Sequence, residues 1–196
     1  MTGRAYPSAM GTGEAKDDHY FDFNVWRRKM TEAKQARGRY FEELVVGDEV
    51  ESPGRTITEA DVVLFAGLSG DYNPLHTDAE YARTTIFGER VAHGLLGLSV
   101  ASGLAWRTGL LEGTAEALIG VDWKFRAPIL IGDTIRLLAQ VSQKKEMQRL
   151  GGGFVTFSMT LLNQRDEVVQ KGTWTLLVRS QPGCLSTGTT IQREGV

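Results

Sequence analysis

The chain has 196 residues and a mass of 21.6 kDa, and its residues are 41% apolar with a formal net charge of −2. The apolar fraction is enough for a sizeable core, and the length predicts one principal domain. Because 22 Lys and Arg residues are balanced by 24 Asp and Glu residues, the composition argues against nucleic acid as a partner, for which a basic face is typical. One small anionic ligand is compatible with this balance.

The sequence is compatible with a reducing compartment but does not require one. Its one cysteine, Cys184, cannot form an internal disulfide. The first 18 residues contain no apolar run of the kind that marks a secretory signal. The most apolar window, residues 94–106, is too short to span a bilayer and contains two serines. We therefore expect a cytoplasmic protein that does not enter a membrane.

Composition divides the chain into three segments. They are an N-terminal extension over residues 1–38, a main domain over residues 39–179 and a C-terminal tail over residues 180–196. Residues 1–20 are rich in glycine, small and charged residues, which predicts disorder. Residues 23–37 contain good helix formers, and three large apolar side chains at helical spacing (Phe23, Trp26 and Met30) predict a short amphipathic helix.

The first half of the main domain predicts helices after one early strand, residues 47–57, which Pro53 and Gly54 interrupt. Thr58 followed by Asp61 is typical of a helix start, and this helix should end near Gly67 or Gly70. The remaining predicted elements are a loop over residues 70–76, a short helix over 78–85 and a long helix over 94–106 that closes at Gly109. Because the long helix is apolar on nearly all faces, we expect it to be buried on most sides.

The second half of the main domain predicts strands over residues 117–129, 134–145, 154–164 and 168–179. Apolar residues alternate with polar ones in the middle two segments. Gly151–Gly153 and Asn163–Asp166 predict the turns between neighbouring strands. Successive strands joined by short turns form an antiparallel sheet, so the fold class is α+β, with one buried helix against a curled sheet.

The stretch GDYNPLH, residues 70–76, carries the chemistry of the chain. Pro74 keeps Asn73 out of the helical region, and the Asn73 side chain can bond nearby backbone and hold a turn. Asp71 and His76 should therefore be fixed relative to each other. A carboxylate and an imidazole that converge on one water can move protons in both directions. Without their surroundings, these two would more often be a turn residue and a loop histidine.

A second histidine, His93, precedes Gly94 at the predicted start of the long helix. The first N–H groups of a helix have no internal partner and its N-terminal end is positive, so a carbonyl oxygen placed there is polarised. Glycine lets a ligand approach that backbone closely. We interpret His93 as a structural residue that orients this turn, with a position facing the cleft as the alternative. Together, the Asp71 carboxylate, the His76 imidazole and the Gly94 N–H suit addition or removal of water beside a thioester. This chemistry needs no metal or cofactor.

The pattern FAGLSGDYNPLH, Phe65 to His76, resembles the hydratase-2 motif of the MaoC-like dehydratases, also called (R)-specific enoyl-CoA hydratases. Three further segments resemble that family: RYFEELVVGDEV, FGERVAHGLLGLSVASGL (87–104) and VDWKFRAPILIGDTI (121–135). Together the resemblance covers residues 39–179. It implies a hotdog fold, in which an antiparallel sheet wraps around a long central helix, and a homodimer or higher homo-oligomer.

The resemblance also implies roles for individual residues. Asp71 and His76 match the catalytic pair, Gly94 matches the backbone donor to the thioester carbonyl, and Asn73 matches the turn residue of the motif. Ser102 falls where the family often has a hydroxyl that supports the aspartate from the central helix, although it is equally compatible with a small residue for close packing.

The family hydrates trans-2-enoyl-CoA to (R)-3-hydroxyacyl-CoA or runs the reverse reaction, with CoA as part of the substrate. The acyl group and the choice between CoA and acyl carrier protein stay open, as does the choice of base between aspartate and histidine. Two alternatives remain: an acyl-CoA thioesterase on the same fold and a non-catalytic acyl-CoA-binding subunit. Four cations could meet CoA phosphates or be ordinary surface charges: Arg83, Arg90, Lys124 and Arg126.

Overall fold

The computed structural model describes residues 38–183. The predicted helix over residues 23–37, the predicted disordered start and Cys184 lie outside the described residues. No helix between residues 38 and 183 is both long enough and apolar enough to cross a membrane.

One antiparallel sheet dominates the structure. Its strands are β1 (Glu49–Glu51), β2 (Arg55–Thr56), β3 (Ala115–Phe125), β4 (Thr134–Met147), β5 (Gly152–Leu162) and β6 (Val168–Arg179). The order across the sheet is β1-β4-β5-β6-β3, and β2 pairs with β4 beside β1. The predicted strands are confirmed, but the strand expected over residues 117–129 ends at Phe125. It ends there because Arg126 and Ala127 both donate to the carbonyl of Val169, which interrupts the ladder.

Within residues 38–183, four helices accompany the sheet: α1 (Glu59–Ser69), α2 (Pro74–Thr77), α3 (Ala79–Arg83) and α4 (Gly94–Arg107). Short 3₁₀ turns occupy Phe41–Glu43 and Gln148–Leu150. The long helix α4 packs against the sheet, and its Leu96, Val100 and Leu104 belong to the same apolar cluster as the inner residues of the strands. This is the predicted α+β hotdog fold, and the prediction is confirmed.

Alternation in β4 and β5 builds the inner face of the sheet. Ile135, Leu137, Val155 and Leu161 are fully buried, whereas the residues between them are more exposed. Complete burial of such a side chain is worth about 1.5–3 kcal/mol relative to exposure. The sheet and α4 are therefore held together mainly by a layer of apolar side chains that the period-2 pattern predicts.

Helix α1 begins and ends at the predicted residues. The Thr58 hydroxyl accepts a hydrogen bond from the Asp61 N–H at 3.4 Å, and the Asp61 carboxylate accepts one from the Thr58 N–H at 2.8 Å. Gly70 ends the helix with φ at 77°, a conformation that glycine adopts without strain. These two caps fix the point at which the GDYNPLH segment leaves α1.

The expectation that α4 is buried on most sides is wrong. Its Leu95 and Trp106 side chains are 59% and 63% exposed, and Ser99 and Ser102 are exposed beside them. The single sheet packs against only one side of α4. The apolar residues on the other face are left uncovered in the isolated chain.

Candidate active site

The GDYNPLH segment is partly helical, which corrects the expectation of a loop throughout. Helix α2 begins at Pro74, and the Asn73 side chain caps it by accepting a hydrogen bond from the Leu75 N–H at 3.0 Å. Proline is favoured at the first helical position because its fixed backbone angle suits a helix and its missing N–H would have no partner there. His76 therefore lies on a short rigid turn and not on a free loop.

His76 is buried, with 8% of its surface exposed, and one ring nitrogen is already engaged. Its Nδ1 lies 2.7 Å from the backbone carbonyl oxygen of Val91. A carbonyl oxygen only accepts hydrogen bonds, so Nδ1 carries the hydrogen. The Nε2 atom of the neutral ring is then the one with a lone pair, and it is the nitrogen that can exchange a proton with a ligand or water.

His93 connects the Asp71 segment to the start of α4. Its Nε2 donates to the backbone carbonyl of Asp71 at 2.9 Å, and its ring centroid lies 3.8 Å from that of His76. His93 is 2% exposed and immediately precedes Gly94 as the N-cap residue of α4. Its Nδ1 has no hydrogen-bond partner in the described part of the chain. His93 thus holds two segments together and supports one face of the His76 ring.

The Asp71 carboxylate lies near both imidazoles. One carboxylate oxygen and one ring nitrogen from each of His76 and His93 all lie within 4.8 Å of one another. Asp71 itself is exposed, and its Oδ1 accepts a hydrogen bond from the Asn73 N–H at 3.2 Å. A single water at this point could contact both the carboxylate and His76. Three such groups could also hold a metal ion, and the expectation of a metal-free site stays a prediction.

Gly94 and His76 line the same cleft, which has a volume of about 310 Å³. Gly94 is half-buried at the first position of α4, where backbone N–H groups have no acceptor within the helix. A Cβ atom at this position would lie 2.9 Å from Cε1 of Phe125. A larger residue at this position would therefore have to displace the Phe125 ring, whereas glycine leaves room for a ligand to approach the N–H groups.

Gln170 is a site residue that the sequence reasoning missed. It is 2% exposed in the same cleft, and its Nε2 donates to the carbonyl of Gly94 at 3.0 Å while its Oε1 accepts from Nε1 of Trp123 at 2.9 Å. Both Val169 and Gln170 are buried because a register irregularity interrupts the β5–β6 ladder next to them. Strict alternation would give them opposite faces, so no sequence signal identifies Gln170.

Among the described residues no hydrogen bond joins Ser102 to Asp71, and the supporting role of Ser102 stays a prediction. The Ser102 hydroxyl donates to the carbonyl of Ser99 at 2.7 Å. Ser102 follows Gly94 by two helical turns, which is about 12 Å along the helix axis at 1.5 Å per residue. It lines a separate, mostly apolar cavity of about 240 Å³ between the second half of α4 and the sheet. Most of the residues that surround Ser102 in this cavity are apolar.

Comparisons with known proteins agree on one family. The profile described as MaoC like domain matches residues 42–160. An (R)-specific enoyl-CoA hydratase of Rhodospirillum rubrum is 37% identical over 139 residues, which are 71% of this chain and 91% of that protein. A 3-hydroxybutyryl-CoA dehydratase of Methylorubrum extorquens is 37% identical over 109 residues, which are 56% of this chain and 68% of that protein.

Solved structures agree with the fold. The unliganded R-hydratase PhaJ1 of Pseudomonas aeruginosa is 32% identical with a TM-score of 0.63, covering 72% of this chain and 86% of its own. A Mycobacterium tuberculosis protein described as a double hotdog has a TM-score of 0.66 at 21% identity, covering 74% of this chain and 46% of its own. The similarity to the double-hotdog protein is evidence for the fold alone.

Close packing at Gly97 can be tested by adding one methyl group. A Cβ atom at Gly97 would overlap Nε2 of Gln170 and lie 2.8 Å from Cδ1 of Ile129. We expect Gly97→Ala to lower the free energy of unfolding by about 1–3 kcal/mol, because extra volume in a packed interior forces side chains apart. Gly103→Ala on the same helix is the matched control, since, apart from the adjoining backbone of α4, no heavy atom of residues 38–183 lies within 4 Å of its Cβ position.

Chemical denaturation measures both variants. The control should be neutral or more stable by up to about 1 kcal/mol, the difference in helix propensity between alanine and glycine. Equal stability changes in the two variants would contradict the close contact between α4 and Gln170.

Proposed function

The chain belongs to the MaoC-like domain family, and on that premise we propose that it is a hydro-lyase that reversibly hydrates trans-2-enoyl-CoA to (R)-3-hydroxyacyl-CoA. The observation that carries this proposal is the approach of the Asp71 carboxylate and the His76 imidazole to within 4.8 Å. The cleft that holds His76 also contains the start of α4 at Gly94. The two curated relatives are named as a hydratase and a dehydratase, which are opposite directions of one type of reaction.

In this proposal the start of α4 receives the thioester. The carbonyl oxygen accepts a hydrogen bond from the Gly94 N–H, and the positive end of the helix stabilises the negative charge that develops when the α carbon becomes enolate-like. A donor of this kind is worth about 2.7–4 kcal/mol of transition-state stabilisation in mutagenesis of other enzymes. Gln170 supports the same turn through the Gly94 carbonyl, which makes it a positioning residue.

Asp71 and His76 then share one water. The water oxygen bonds to the β carbon, one of its protons leaves to one member of the pair, and the α carbon gains a proton from the other member. The reverse reaction removes the α proton and protonates the departing hydroxyl. The hydrogen bond from Nδ1 of His76 to Val91 leaves Nε2 as the nitrogen that takes part. His93 keeps the Asp71 backbone in place.

Substitution of the pair tests the proposal directly. We expect Asp71→Asn and His76→Ala each to lower kcat by at least about 10²-fold, because general acid–base catalysis contributes about 10²–10⁴-fold. Loss of the conjugated enoyl absorbance measures the rate, and chiral analysis of the product tests for the (R) form. Glu80→Gln is the control, since Glu80 is exposed and pairs with Arg83. A chelator should leave the rate unchanged.

Near-normal activity in both Asp71→Asn and His76→Ala would contradict the assignment of the pair. Release of free CoA without hydration would favour the thioesterase alternative. Binding of enoyl-CoA without turnover of any chain length would favour a binding subunit, a function that gains little from a proton-transfer pair in its cleft.

The apolar cavity beside Ser102 is the proposed site of the acyl chain. Its walls come from the second half of α4 and from the inner face of the sheet, including Ala105, Phe157, Met159 and Trp174. The cleft lies at the first turn of the same helix and the cavity lies at its last turns. A chain that starts at the thioester carbonyl and follows α4 would therefore enter apolar surroundings, which favour a hydrocarbon tail.

Filling this cavity should shorten the accepted chain. We expect Ala105→Leu to lower kcat/KM for long-chain enoyl-CoA by roughly tenfold or more, since one methylene in an apolar pocket changes selectivity by about 10–200-fold. Crotonyl-CoA, whose chain ends near the cleft, should react at the unchanged rate and is the internal control. A parallel loss for both substrates would contradict the cavity as the acyl site.

We further propose that the chain acts as a homodimer through the edge strand β3. No other strand of the described residues pairs with the outer side of β3, and the strand exposes Leu118, Ile119 and Val121. The uncovered Leu95 and Trp106 of α4 add apolar surface. Long apolar edge strands in soluble proteins pair or aggregate unless they are covered, and a second copy of the chain would cover this one.

Light scattering tests this assembly. We expect the wild type to have about twice the mass of the 21.6 kDa chain, and Ile119→Lys to dissociate it, because a charge placed in an apolar edge blocks strand pairing. Leu150→Lys is the control, since Leu150 is also exposed but lies in the turn between β4 and β5. A monomeric wild type, or an Ile119→Lys variant of unchanged mass, would contradict the proposal.

A further inference from the structure

The face of the sheet opposite α4 carries a concave pocket lined by three cations. Lys124 and Arg126 approach it from β3 and the residue after it, and Lys171 approaches from β6. Ser158, Thr160 and Thr173 add hydroxyl groups to its wall, and its volume is about 410 Å³. We call this the cationic pocket. Asp122 is its one carboxylate residue.

The three cations line one pocket although like charges repel one another. Lys124 and Lys171 are direct cross-strand partners in the antiparallel register of β3 and β6, and like charges at such positions destabilise a sheet. No carboxylate among residues 38–183 lies within 4.0 Å of the charged atoms of Lys124, Arg126 or Lys171. The arrangement is therefore one that a bound anion would stabilise.

The other two arginines that could bind phosphate already form ion pairs with glutamates. Arg90 makes two hydrogen bonds to the Glu59 carboxylate at 2.8 and 2.6 Å, which lower the pKa of Glu59 and raise the pKa of Arg90. Arg83 pairs with Glu80 on α3. An anion would have to displace these acids, whereas it could enter the cationic pocket without breaking an ion pair.

The cationic pocket and the cleft share a wall. Arg126 lines both of them, so this one side chain borders the cleft that contains His76 and Gly94 as well as the pocket on the outer face of the sheet. A ligand with a reactive group in the cleft and a phosphate group in the cationic pocket would pass this side chain. Coenzyme A has that form, because a flexible pantetheine arm separates its thioester from a phosphorylated nucleotide.

We propose that the cationic pocket binds the phosphates of the 3′-phospho-ADP end of coenzyme A, an inference that rests on the proposed function. Arginine and lysine are the usual partners of phosphate oxygens, and hydroxyl groups complete such sites. The pocket is concave and of the size that holds small ligands, which favours a nucleotide over the convex surface of an acyl carrier protein. The site thus selects acyl-CoA as the form of the thioester.

The test compares two thioesters that differ only in the nucleotide. In Lys124→Ala/Lys171→Ala we expect KM for enoyl-CoA to rise at least roughly tenfold with kcat unchanged, since a charge-assisted hydrogen bond is worth more than the energy of a tenfold change. The matching enoyl thioester of N-acetylcysteamine has no nucleotide, and its kinetics should be the same in variant and wild type. Arg83→Ala, which removes one exposed cation elsewhere, is the control and should change neither substrate.

Binding of 3′,5′-ADP by calorimetry tests the pocket without catalysis. We expect the full-length wild type to bind it, the double variant to lose at least roughly tenfold in affinity, and added salt to weaken only the wild type strongly. The inference would be overturned if the wild type did not bind 3′,5′-ADP, or if the double variant changed KM equally for both thioesters. It would also be overturned if the double variant raised KM for an acyl carrier protein substrate in place of enoyl-CoA. Binding of 3′,5′-ADP that the variant loses, with no turnover of either thioester, would support the pocket while contradicting the proposed reaction.

Discussion

The close approach of helix α4 to strand β6 is the constraint on which the site depends. Gly97 has no side chain, so the Gln170 amide reaches the Gly94 carbonyl at 3.0 Å and is held in turn by Trp123. A buried amide left without partners would cost about 1–3 kcal/mol, so this contact fixes both the depth and the rotation of the helix. The first turn of α4, which places Gly94 in the wall of the cleft, is consequently held in position.

The two imidazoles are organised by backbone carbonyls. Val91 holds His76 and the Asp71 carbonyl holds His93. Because each carbonyl fixes the hydrogen on one nitrogen, each ring presents its remaining nitrogen in a known direction. The placement of His76 therefore depends on the path of the main chain around residues 70–76 and 91–94, and less on side chains that could be exchanged individually. Tertiary packing of these segments places the Asp71 carboxylate near the buried His76 imidazole, and Asp71 forms no ion pair within residues 38–183.

Three features of the described chain are open to a ligand or a partner. The Asp71 carboxylate is exposed, Leu95 and Trp106 are exposed on the outer face of α4, and β3 is an apolar edge. A second copy of the chain across β3 and α4 would cover the two apolar surfaces, and a substrate in the cleft would lie near the carboxylate. The proposed assembly, acyl and phosphate sites all use surfaces to which α4 or β3 contributes.

The sequence by itself determined the α+β class, the caps of α1 at Thr58 and Gly70, and the inner faces of β4 and β5, because local periodicity and turn chemistry specify these features. It also singled out Asp71, His76 and Gly94, and the structure places Asp71 near His76 and places His76 in one cleft with Gly94. The sequence could not determine that Pro74 starts a helix in place of a loop, that α4 is uncovered on one face, or that Ser102 lines a second cavity. Neither the place of Gln170 in the cleft nor the pairing of Lys171 with Lys124 could be predicted, since a strand irregularity and pairing with distant β3 define their surroundings. Contacts between segments far apart in the chain are decided by tertiary packing, and no local pattern encodes them.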